Sequence, residues 1–503
     1  MQTPFRKVLV ANRGEIAVRI LRAIREEGLE SVAVFSEADR SALYVRFADF
    51  AVPIGPSPSA QSYLRPEALL EAAAQTGAEA IHPGYGFLSE NAAFAAACER
   101  AGIVFIGPSA TTIRLMGNKL EARATAKAAG VPIIPGSPGP VETLDEAREW
   151  ATRIGYPIML KAAAGGGGKG MRIVAGPDDL ARAFELTQGE ARNAFADSTL
   201  FLESYIERPR HIEIQVMGDA HGNVVHLGER ECTLQRRHQK VIEEAPSMWM
   251  TPERRQEMGD AAVRLARAVG YRSAGTVEFV AAPNGTFYFL EMNTRIQVEH
   301  PVTELVYGVD LVREQLRVAA GAPLSWRQEE LTPNGWAIEC RIYAEDPYNR
   351  FLPSLGEVTN LRLASGPGIR NDVGIHLGGT VSHYYDPLLG KLIAFGKDRE
   401  EARRRMFRGL RETLIEGVRT NISFHRWLLD REEFIHGNLD TGFIERTFHG
   451  LERREDPERA RAAVVAAAIA AYEDAHRFSR PQDGQPAPSA WRLLGRPGKS
   501  EEP

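Results

Sequence analysis

The chain has 503 residues, of which 44% are hydrophobic and 25% are charged, and its formal net charge is −5. These values are typical of an ordinary globular protein of about three domains, and they do not indicate a nucleic-acid or membrane-surface partner. The three cysteines include no CxxC pair, the first residues have no signal-like apolar stretch, and the longest apolar run is shorter than the roughly 20 residues of a membrane span. We therefore expect a cytoplasmic protein without structural zinc or disulfides.

The first 120 or so residues alternate between strand and helix patterns. "KVLVA", "SVAVF", "AEAIHP" and "GIVFIG" have the composition of buried strands, and "GEIAVRILRAIREEG" has the spacing of an amphipathic helix that Gly28 would end. Strands that alternate with helices favour a doubly wound α/β domain with a parallel sheet. The residues after the first strand, "ANRGE", do not have the GxGxxG spacing of a dinucleotide site, so we do not expect NAD binding.

A glycine-rich loop separates two strand patterns in "YPIMLKAAAGGGGKGMRIV". The first strand ends at Lys161, the loop contains Gly165 to Gly168 followed by Lys169, and "MRIV" resumes the strand pattern. Glycine lets backbone N–H groups approach phosphate oxygens closely, and lysine adds positive charge. Because no helix follows and GxxxxGK[ST] is not satisfied, we predict a mobile flap over a nucleotide rather than a P-loop. A flexible hairpin without a ligand is the alternative.

The segment "ERECTLQRRHQKVIEEAP" concentrates basic side chains between Gln235 and Lys240. It is short, the chain is acidic and no aromatic residue is interleaved, so it is a poor match to a nucleic-acid patch. A site for a small anion explains the crowding better. A solvated charged segment is the alternative.

The stretch "TVEFVAAPNGTFYFLEMN" predicts a β-hairpin, because Asn-Gly is the strongest signal for a two-residue turn. With Asn284-Gly285 as the loop, Pro283 faces Thr286 and Glu278 lies directly opposite Glu291. Like charges that face each other across a ladder are destabilising. This arrangement therefore requires a reason.

A divalent cation is one such reason. Period-two alternation places Phe287, Phe289, Glu291 and Asn293 on one face of the second strand, with the two polar residues at its end. Together with Glu278 they would form a cluster of hard oxygen donors, which suits magnesium or manganese. An exposed face with two ordinary acids is the alternative.

Two further segments carry charged residues at strand-like spacing. In "NTRIQVEHP", Arg295, Gln297 and Glu299 alternate and would project together if the chain stays extended. A cation beside a carboxylate can hold an anion while a base removes its proton, although a surface salt bridge has the same residues. In "GWAIECRIYAED", Arg341 lies on the polar face of a strand, where a catalytic guanidinium would be rigidly held; an ordinary half-buried strand is the alternative.

The last part of the chain changes composition twice. A break at "LTPNGW" precedes a strand-rich region that runs to about Leu451. An alanine-rich helix follows, and then "RPQDGQPAPS", which has the composition of an extended or disordered linker.

Taken together, five motifs resemble those of the biotin carboxylases, which are members of the ATP-grasp superfamily: "ANRGEIAVRI", "IHPGYGFLSEN", "GGGGKGMR", "QRRHQKVIEEAP" and "EMNTRIQVEHPVTE". The resemblance covers about residues 4–446. It implies an α/β and α+β multidomain fold: a pre-ATP-grasp domain, an ATP-grasp domain with a mobile flap, a β-rich C-terminal domain and a helical tail. The corresponding ranges are 1–118, 119–330 with the flap at about 132–203, 331–450 and 451–503.

The resemblance also implies a reaction. ATP phosphorylates bicarbonate to carboxyphosphate, which releases CO2 to carboxylate N1′ of biotin, with magnesium or manganese, two ions in all, on the nucleotide. No Met-Lys-Met sequence that accepts biotin occurs, and no region remains for a carboxyltransferase. We therefore expect biotin to arrive on a separate biotin carboxyl carrier protein, carboxyltransferase subunits as further partners, and a homodimer that binds neither nucleic acid nor membrane.

Individual residues take roles from the same resemblance. Lys119 and Lys161 resemble the lysines on the ATP phosphates, and Gly167 and Gly168 resemble the flap backbone. The other residues implied in ATP binding are Glu203, Ser204, Tyr205, Ile206, His211, Gln235, His238, Glu278 and Glu291.

The remaining roles concern the metal and the chemistry. Glu278, Glu291 and Asn293 resemble the metal ligands, Glu299 the base that deprotonates bicarbonate, and Arg341 the arginine that stabilises the biotin enolate. The catalytic set is Lys240, Arg295, Glu299 and Arg341, and the bicarbonate and biotin contacts are Lys240, Arg295, Gln297, Val298 and Arg341.

Several alternatives stay open at this point. Acetyl-CoA carboxylase is the leading pathway, and the equivalent subunit of a propionyl-CoA or pyruvate carboxylase is the alternative. Another ATP-grasp carboxylate ligase would lack the long "QRRHQK" and "RIQVEHP" matches. A non-catalytic nucleotide sensor would have lost Glu291, Arg295 or Arg341, and all three are present.

Overall fold

The N-terminal region is a parallel sheet covered by helices on both sides. The structure, a computed structural model, describes residues 5–162, 170–195, 198–451 and 457–477. Five parallel strands have the order β3-β2-β1-β4-β5, as predicted. Alternate residues of the first strand pack on opposite sides, Val8 with Ile16 and Leu9 with Phe94. The elements are β1 (Lys7–Val10), α1 (Gly14–Glu26), β2 (Glu30–Ser36), α2 (Leu43–Phe47), β3 (Phe50–Gly55), α3 (Pro66–Thr76), β4 (Ala80–His82), α4 (Ala92–Arg100), β5 (Val104–Phe105) and α5 (Ala110–Gly117).

The central region contains a small sheet and most of a large antiparallel sheet. The small sheet has the order β7-β6-β8, and β6 and β7 are the strands that flank the glycine loop. The elements are α6 (Lys119–Ala128), α7 (Leu144–Ile154), β6 (Ile158–Ala162), β7 (Met171–Val174), α8 (Pro177–Phe195), β8 (Leu200–Ser204), β9 (Arg210–Gly218), β10 (Val224–Arg236), β11 (Gln239–Ala245), α9 (Pro252–Ala268), β12 (Ser273–Ala281), β13 (Phe287–Asn293), α10 (His300–Tyr307) and α11 (Leu311–Ala319).

The third region adds strands to the same large sheet and ends in short helices. Its elements are β14 (Trp336–Tyr343), β15 (Glu345–Asp346), β16 (Leu352–Pro353), β17 (Gly356–Glu357), β18 (Asn360–Arg362), β19 (Ile369–Val373), β20 (Thr380–Val381), β21 (Leu388–Gly396), α12 (Arg399–Glu412), β22 (Leu414–Glu416), α13 (Ile422–Leu429), α14 (Glu432–Ile435) and α15 (Phe443–Thr447).

The large sheet has eight strands in the order β13-β12-β9-β10-β11-β14-β21-β19. It therefore continues across residue 330, where we placed a domain limit; the domain limits stay a prediction. One face packs against α9 through Met258 and Leu265 and against α12 through Met406 and Leu410. Helix α10 packs beside β14 on the side of Glu339 and Arg341.

The tail is a separate compact unit that begins at Glu452, and its described part is α16 (Pro457–Arg477). The predicted alanine-rich helix is present, and Val464, Val465 and Ile469 on it are exposed. The linker pattern after it lies outside the described residues. Within the described ranges, every helix is too short or too polar to cross a membrane.

Candidate active site

A cavity of about 920 Å³ opens between the N-terminal region, the small sheet and the large sheet. This volume lies within the usual range of small-molecule sites. Glu299 is fully buried directly beneath the lining. The predicted site residues that line the cavity are Lys119, Lys161, Glu203, His211, Gln235, His238, Lys240, Glu278, Glu291, Asn293, Arg295, Gln297, Val298 and Arg341.

Five predicted residues lie elsewhere. Ser204, Tyr205 and Ile206 follow Glu203 at the end of β8 without lining the cavity. Gly167 and Gly168 lie outside the described residues.

The facing glutamates are present, but the hairpin that carries them differs from the prediction. Glu278 is paired with Glu291, while Phe279 is paired with Phe289, so Leu290 is an extra residue in β13. The loop has three residues, 283–285, rather than two: the Gly285 amide donates to the carbonyl of Ala282. Gly285 has φ +94°, which is the left-handed position of such a loop. The longer loop and the bulge cancel, so the predicted pair survives although Pro283 does not face Thr286.

The bulge also corrects the predicted face of β13. Phe287, Phe289 and Met292 belong to the hydrophobic core on the α9 side of the sheet. Glu291 and Asn293 line the cavity. The prediction that all of Phe287, Phe289, Glu291 and Asn293 share one face is therefore wrong, because the extra residue shifts the alternation by one position.

Glu278 is held by four polar side chains. His211 Nε2 lies 3.0 Å from Oε2, and Lys240 Nζ lies 3.0 Å from Oε1. The side-chain amides of Asn293 and Gln297 donate to Oε1 over 2.8 and 3.1 Å. Burial alone would raise the pKa of Glu278, but Lys240 and His211 outweigh it and lower the pKa, so this acid is a carboxylate.

Glu291 has the opposite electrostatic environment. Burial, and then the charge of Glu278, raise its pKa, while Lys119 only partly opposes the shift. A buried carboxylate that faces another is the situation that a divalent cation relieves. Glu278 and Glu291 therefore fit a magnesium or manganese ion. The amide oxygen of Asn293 accepts from Arg295 Nη2 over 2.8 Å, so its role as a ligand stays a prediction.

Lys240 is the centre of the charge network. Its ammonium donates to Glu213 over 2.5 Å, to Glu278 over 3.0 Å and to Glu299 over 2.6 Å. Burial would lower the pKa of Lys240, but these three carboxylates raise it well above its usual value, so the side chain stays charged. Among the described residues, His211, Glu213 and Glu278 also converge within 4.8 Å. Because Lys240 bonds to both acids of that group, we place the cation at Glu278 and Glu291 instead.

Arg341 and Glu299 form the second half of the network. Arg341 Nη2 donates to Glu299 over 2.9 Å and Nε donates to Glu243 over 2.6 Å. Burial opposes the charge on Glu299, but Lys240, Arg341 and Arg230 hold its pKa well below the usual value. The strand that carries Arg341 is buried on both faces rather than half-buried, because α10 covers its polar side.

The segment after β13 is bent rather than extended, which corrects the prediction for "NTRIQVEHP". Glu299 precedes α10, and Arg295 Nη1 donates to Gln297 Oε1 over 2.8 Å. Arg295 is also held by Glu90 from the N-terminal region, over 2.9 Å. Arg295 and Gln297 still reach the cavity together, but through the bend and this network rather than through strand alternation.

The basic segment is a hairpin, and its side chains point to different partners. Arg237 and His238 form the turn between β10 and β11 with positive φ values and are exposed. Arg236 bonds to Glu345 over 2.6 Å, whereas Lys240 enters the network described above. The predicted crowding for a single anion is therefore wrong, since these side chains separate at the turn.

The other end of the cavity has two lysines that suit phosphate groups. Lys119 lies near Glu291, and Lys161 Nζ bonds to Glu203 over 2.5 Å. Arg123 contacts the other oxygen of Glu203. Burial lowers the pKa of Lys119, although Glu291 and Glu203 oppose the shift. Positive charge at one end and an acid pair beside it match the needs of a nucleotide triphosphate with its cation.

Sequence reasoning missed three charged residues of this site. Glu213 is fully buried between Lys240 and Arg230, and Arg230 is itself fully buried. The alternation of His211, Glu213 and Gln215 on a buried strand was a signal for a polar face. Glu90 had no such signal, because its partner Arg295 is 205 residues away.

Comparisons with known proteins agree along the chain. The family described as "Biotin carboxylase, N-terminal domain" matches residues 4–113, "Carbamoyl-phosphate synthase L chain, ATP binding domain" matches 118–327, and "Biotin carboxylase C-terminal domain" matches 339–446. Biotin carboxylase 1 of Bacillus subtilis is 53% identical over 441 residues, which is 88% of this chain and 98% of that protein. One pyruvate carboxylase subunit of Methanothermobacter thermautotrophicus is 51% identical over 490 residues, which is 94% of this chain and 100% of that protein.

One solved structure adds ligands to the comparison. The biotin carboxylase domain dimer of the 2-oxoglutarate carboxylase from Hydrogenobacter thermophilus, in complex with MgADP, ADP and bicarbonate, has a TM-score of 0.85 and 48% identity. The match covers 88% of this chain and 98% of that one.

Proposed function

Because the chain belongs to the biotin carboxylase family, we propose that it uses ATP and bicarbonate to carboxylate biotin on a separate carrier protein through carboxyphosphate. The observation that carries this proposal is the single cavity in which the facing acids Glu278 and Glu291 adjoin the Lys240–Glu299–Arg341 network. An acid pair for a nucleotide-bound cation and a base between two cations are the two requirements of the reaction.

The cation-binding residues in this proposal are Glu278 and Glu291, with Asn293 beside them. A magnesium or manganese ion there supplies charge neutralisation on the triphosphate. Lys119 and Lys161 bind the phosphate groups, and their charges favour the phosphate over water when the transferred group becomes more negative. The MgADP and bicarbonate in the Hydrogenobacter structure support these ligands for this chain.

Glu299 is the proposed base for bicarbonate. In the free protein its charge is balanced by Lys240 and Arg341, which keeps it ionised and weakly basic. Bicarbonate that binds to Lys240 and Arg295 draws the lysine toward the substrate, and Glu299 then becomes a stronger base at the moment it is needed. Gln297 and the Val298 backbone orient the anion.

Arg341 is the proposed stabiliser of the biotin enolate. Its guanidinium stays charged at any working pH and is fixed on β14 by two carboxylates. A preorganised cation is worth most where negative charge develops in a dry site.

The test of this proposal is ATP cleavage by the purified full chain. We expect cleavage to depend on bicarbonate, to need magnesium or manganese, and to be accelerated by free biotin. Cleavage at the same rate with and without bicarbonate would contradict the proposal. The same assay with glutamate or ammonia in place of bicarbonate separates this activity from that of another ATP-grasp ligase.

For the final acceptor, we propose acetyl-CoA, with pyruvate as the second candidate. The match to the Methanothermobacter pyruvate carboxylase subunit favours the second, because it covers 94% of the chain and so extends past residue 446 into the tail, whereas the match to biotin carboxylase 1 covers 88%. We further propose a cytoplasmic homodimer that works with a biotin carboxyl carrier protein and carboxyltransferase subunits. Purification of the tagged chain with its partners, followed by assays with acetyl-CoA, propionyl-CoA and pyruvate, identifies the acceptor.

A further inference from the structure

A second pair of facing glutamates lies in the large sheet, behind Arg341. Glu243 on β11 is directly paired with Glu339 on β14. Both residues are fully buried, and neither lines the cavity. No motif described above depends on this pair, and none of the roles proposed so far uses it.

The carboxyl oxygens of this pair are largely without partners. Glu243 Oε1 accepts from Arg341 Nε over 2.6 Å. Among the described residues, Glu243 Oε2 and both oxygens of Glu339 have no hydrogen-bond donor. Side chains directly opposite each other on an antiparallel pair are close enough to interact. Three free acceptor oxygens therefore lie together in the interior.

The surrounding charges do not neutralise two anions at this place. Lys391 on β21 is the nearest cation to Glu339 after Arg341, but its ammonium bonds to the carbonyl of Val298 over 2.7 Å and lies 3.2 Å from Glu15. Arg341 is shared between Glu243 and Glu299, and Glu299 adds a further negative charge. Two ionised glutamates in this setting would be an uncompensated buried charge, which is strongly unfavourable.

We infer that Glu243 and Glu339 share one proton, which Glu339 donates to the free oxygen of Glu243, and that Glu243 is thereby a positioning residue for Arg341. The hydrogen bond from Glu339 fixes one oxygen of Glu243 and turns the other toward Nε of the guanidinium. Because Arg341 touches biotin only under the proposed function, the catalytic part of this inference rests on that function, whereas the shared proton does not.

The titration behaviour agrees with this geometry. Burial raises the pKa of Glu243 to about 7, with Glu299 adding to the shift and Arg341 opposing it. Burial also raises the pKa of Glu339 well above its usual value, with Glu243 adding to the shift against Lys391 and Arg341. Tyr85, which also faces Glu339, is neutral because burial and Glu15 raise the pKa of its hydroxyl.

Three variants of the full chain test the inference. Glu339→Gln keeps the shape of the protonated acid and an N–H donor toward Glu243. Glu243→Gln removes the carboxylate that holds Arg341. Glu244→Gln is the matched control: it is the same change at the next residue, where the carboxylate bonds to Arg399 over 2.7 Å instead.

The first readout is the division between two activities of each variant. For Glu243→Gln we expect biotin carboxylation to fall about 100-fold, because a displaced guanidinium misses the enolate, while bicarbonate-dependent ATP cleavage without biotin changes less than about threefold. Glu339→Gln and Glu244→Gln are expected to keep the wild-type ratio of the two activities. An unchanged ratio in Glu243→Gln, in a wild type that cleaves ATP with bicarbonate, overturns the positioning role and leaves the proposed function intact.

The second readout is the infrared difference spectrum between the wild type and Glu339→Gln at neutral pH, which does not depend on activity. We expect the wild type to have the carbonyl band of one more protonated carboxylic acid. A difference in a carboxylate band instead means that Glu339 is ionised and overturns the inference. If Glu339→Gln fails to fold, the spectrum of Glu243→Gln decides the same point, because removal of either acid abolishes the shared proton.

Discussion

The two pairs of facing glutamates have the same local pattern but different surroundings. Glu278 and Glu291 lie on β12 and β13 and line the cavity, whereas Glu243 and Glu339 lie on β11 and β14 and are sealed behind Arg341. We call them the open pair and the closed pair. Glu278 has four polar partners, whereas Glu339 has no donor within the part of the chain that the structure describes.

This difference teaches that a cross-strand acid pair can be accommodated in two ways. At the open pair, Lys240, His211 and a substrate cation can reach the charges. At the closed pair no group can enter, so a proton remains as the means of removing one charge. Access from the cavity, rather than the spacing of the residues, decides which of the two applies.

The largest expected effect comes from removing one charge of the open pair. Glu291→Gln should lower bicarbonate-dependent ATP cleavage by about 1,000-fold or more, because the nucleotide loses its cation. The fold should survive, since Glu291 is an acid whose pKa burial and Glu278 raise, and its neutral replacement relieves repulsion. We expect unfolding temperatures within about 3 °C of the wild type in the absence of nucleotide.

Nucleotide and metal then separate a binding defect from a folding defect. Added MgATP should raise the unfolding temperature of the wild type and have little effect on Glu291→Gln, because a ligand stabilises only the state that binds it. Equal stabilisation of both proteins would contradict a cation site at the open pair.

The next largest effect concerns the residue that the closed pair holds. Arg341→Ala should reduce biotin carboxylation by about 100- to 1,000-fold and bicarbonate-dependent ATP cleavage much less, because the enolate forms only after carboxyphosphate. Arg341→Lys is the matched control for charge, since an ammonium cannot contact Glu243 and Glu299 in the manner of a planar guanidinium. A parallel loss of both activities would argue against the enolate role.

How far the sequence predicts these sites is clearest at the hairpin of the open pair. The prediction of Glu278 opposite Glu291 is correct, yet it assumes a two-residue loop and no bulge. Pro283 has the φ that suits the first position of a three-residue loop, and Gly285 takes the left-handed position that ends it. Nothing in the strand sequence marks the bulge at Leu290 that restores the register.

Other parts of the site depend on contacts that sequence spacing cannot reveal. The parallel sheet follows from alternation of strands and helices, and the motifs give the family. By contrast, Glu90 reaches Arg295 and Lys391 reaches Val298 across 205 and 93 residues. Glu213 and the closed pair are ordinary strand residues until the order of the large sheet is known, because burial on both faces converts them into charged groups of the interior.

Lys391 sharpens the comparison through stability. Lys391→Met should lower the free energy of unfolding by about 3–5 kcal/mol, because Glu15 loses its cation and the carbonyl of Val298 loses its donor in a fully buried position. The closed pair should stay protonated, since removal of the nearest free cation disfavours ionisation of Glu339 further. Urea unfolding measures the loss, and Lys397→Met, an exposed lysine just after β21, is the control. Equal midpoints for the two variants would contradict the role of Lys391.

The smallest expected effect is a pH dependence that belongs to the closed pair alone. A glutamate whose folded pKa is raised keeps its proton in the native state when the unfolded chain has lost it. The native state is therefore favoured at low pH, and this contribution declines as pH rises from the ordinary glutamate value near ~4.3. The decline continues until the native pair itself releases the proton, at about pH 7 or above for Glu243. Glu339→Gln binds no such proton and lacks the decline.

The unfolding temperature of Glu339→Gln relative to the wild type should therefore rise by about 2–4 °C between pH 5 and pH 8. Glu291→Gln is the informative comparison, because its raised pKa also favours the native state at low pH, but magnesium with nucleotide should remove that dependence by stabilising the carboxylate. The closed pair cannot respond to magnesium, since no ion reaches it. A dependence at Glu339 that disappears with MgATP would mean that the closed pair is open to the cavity after all.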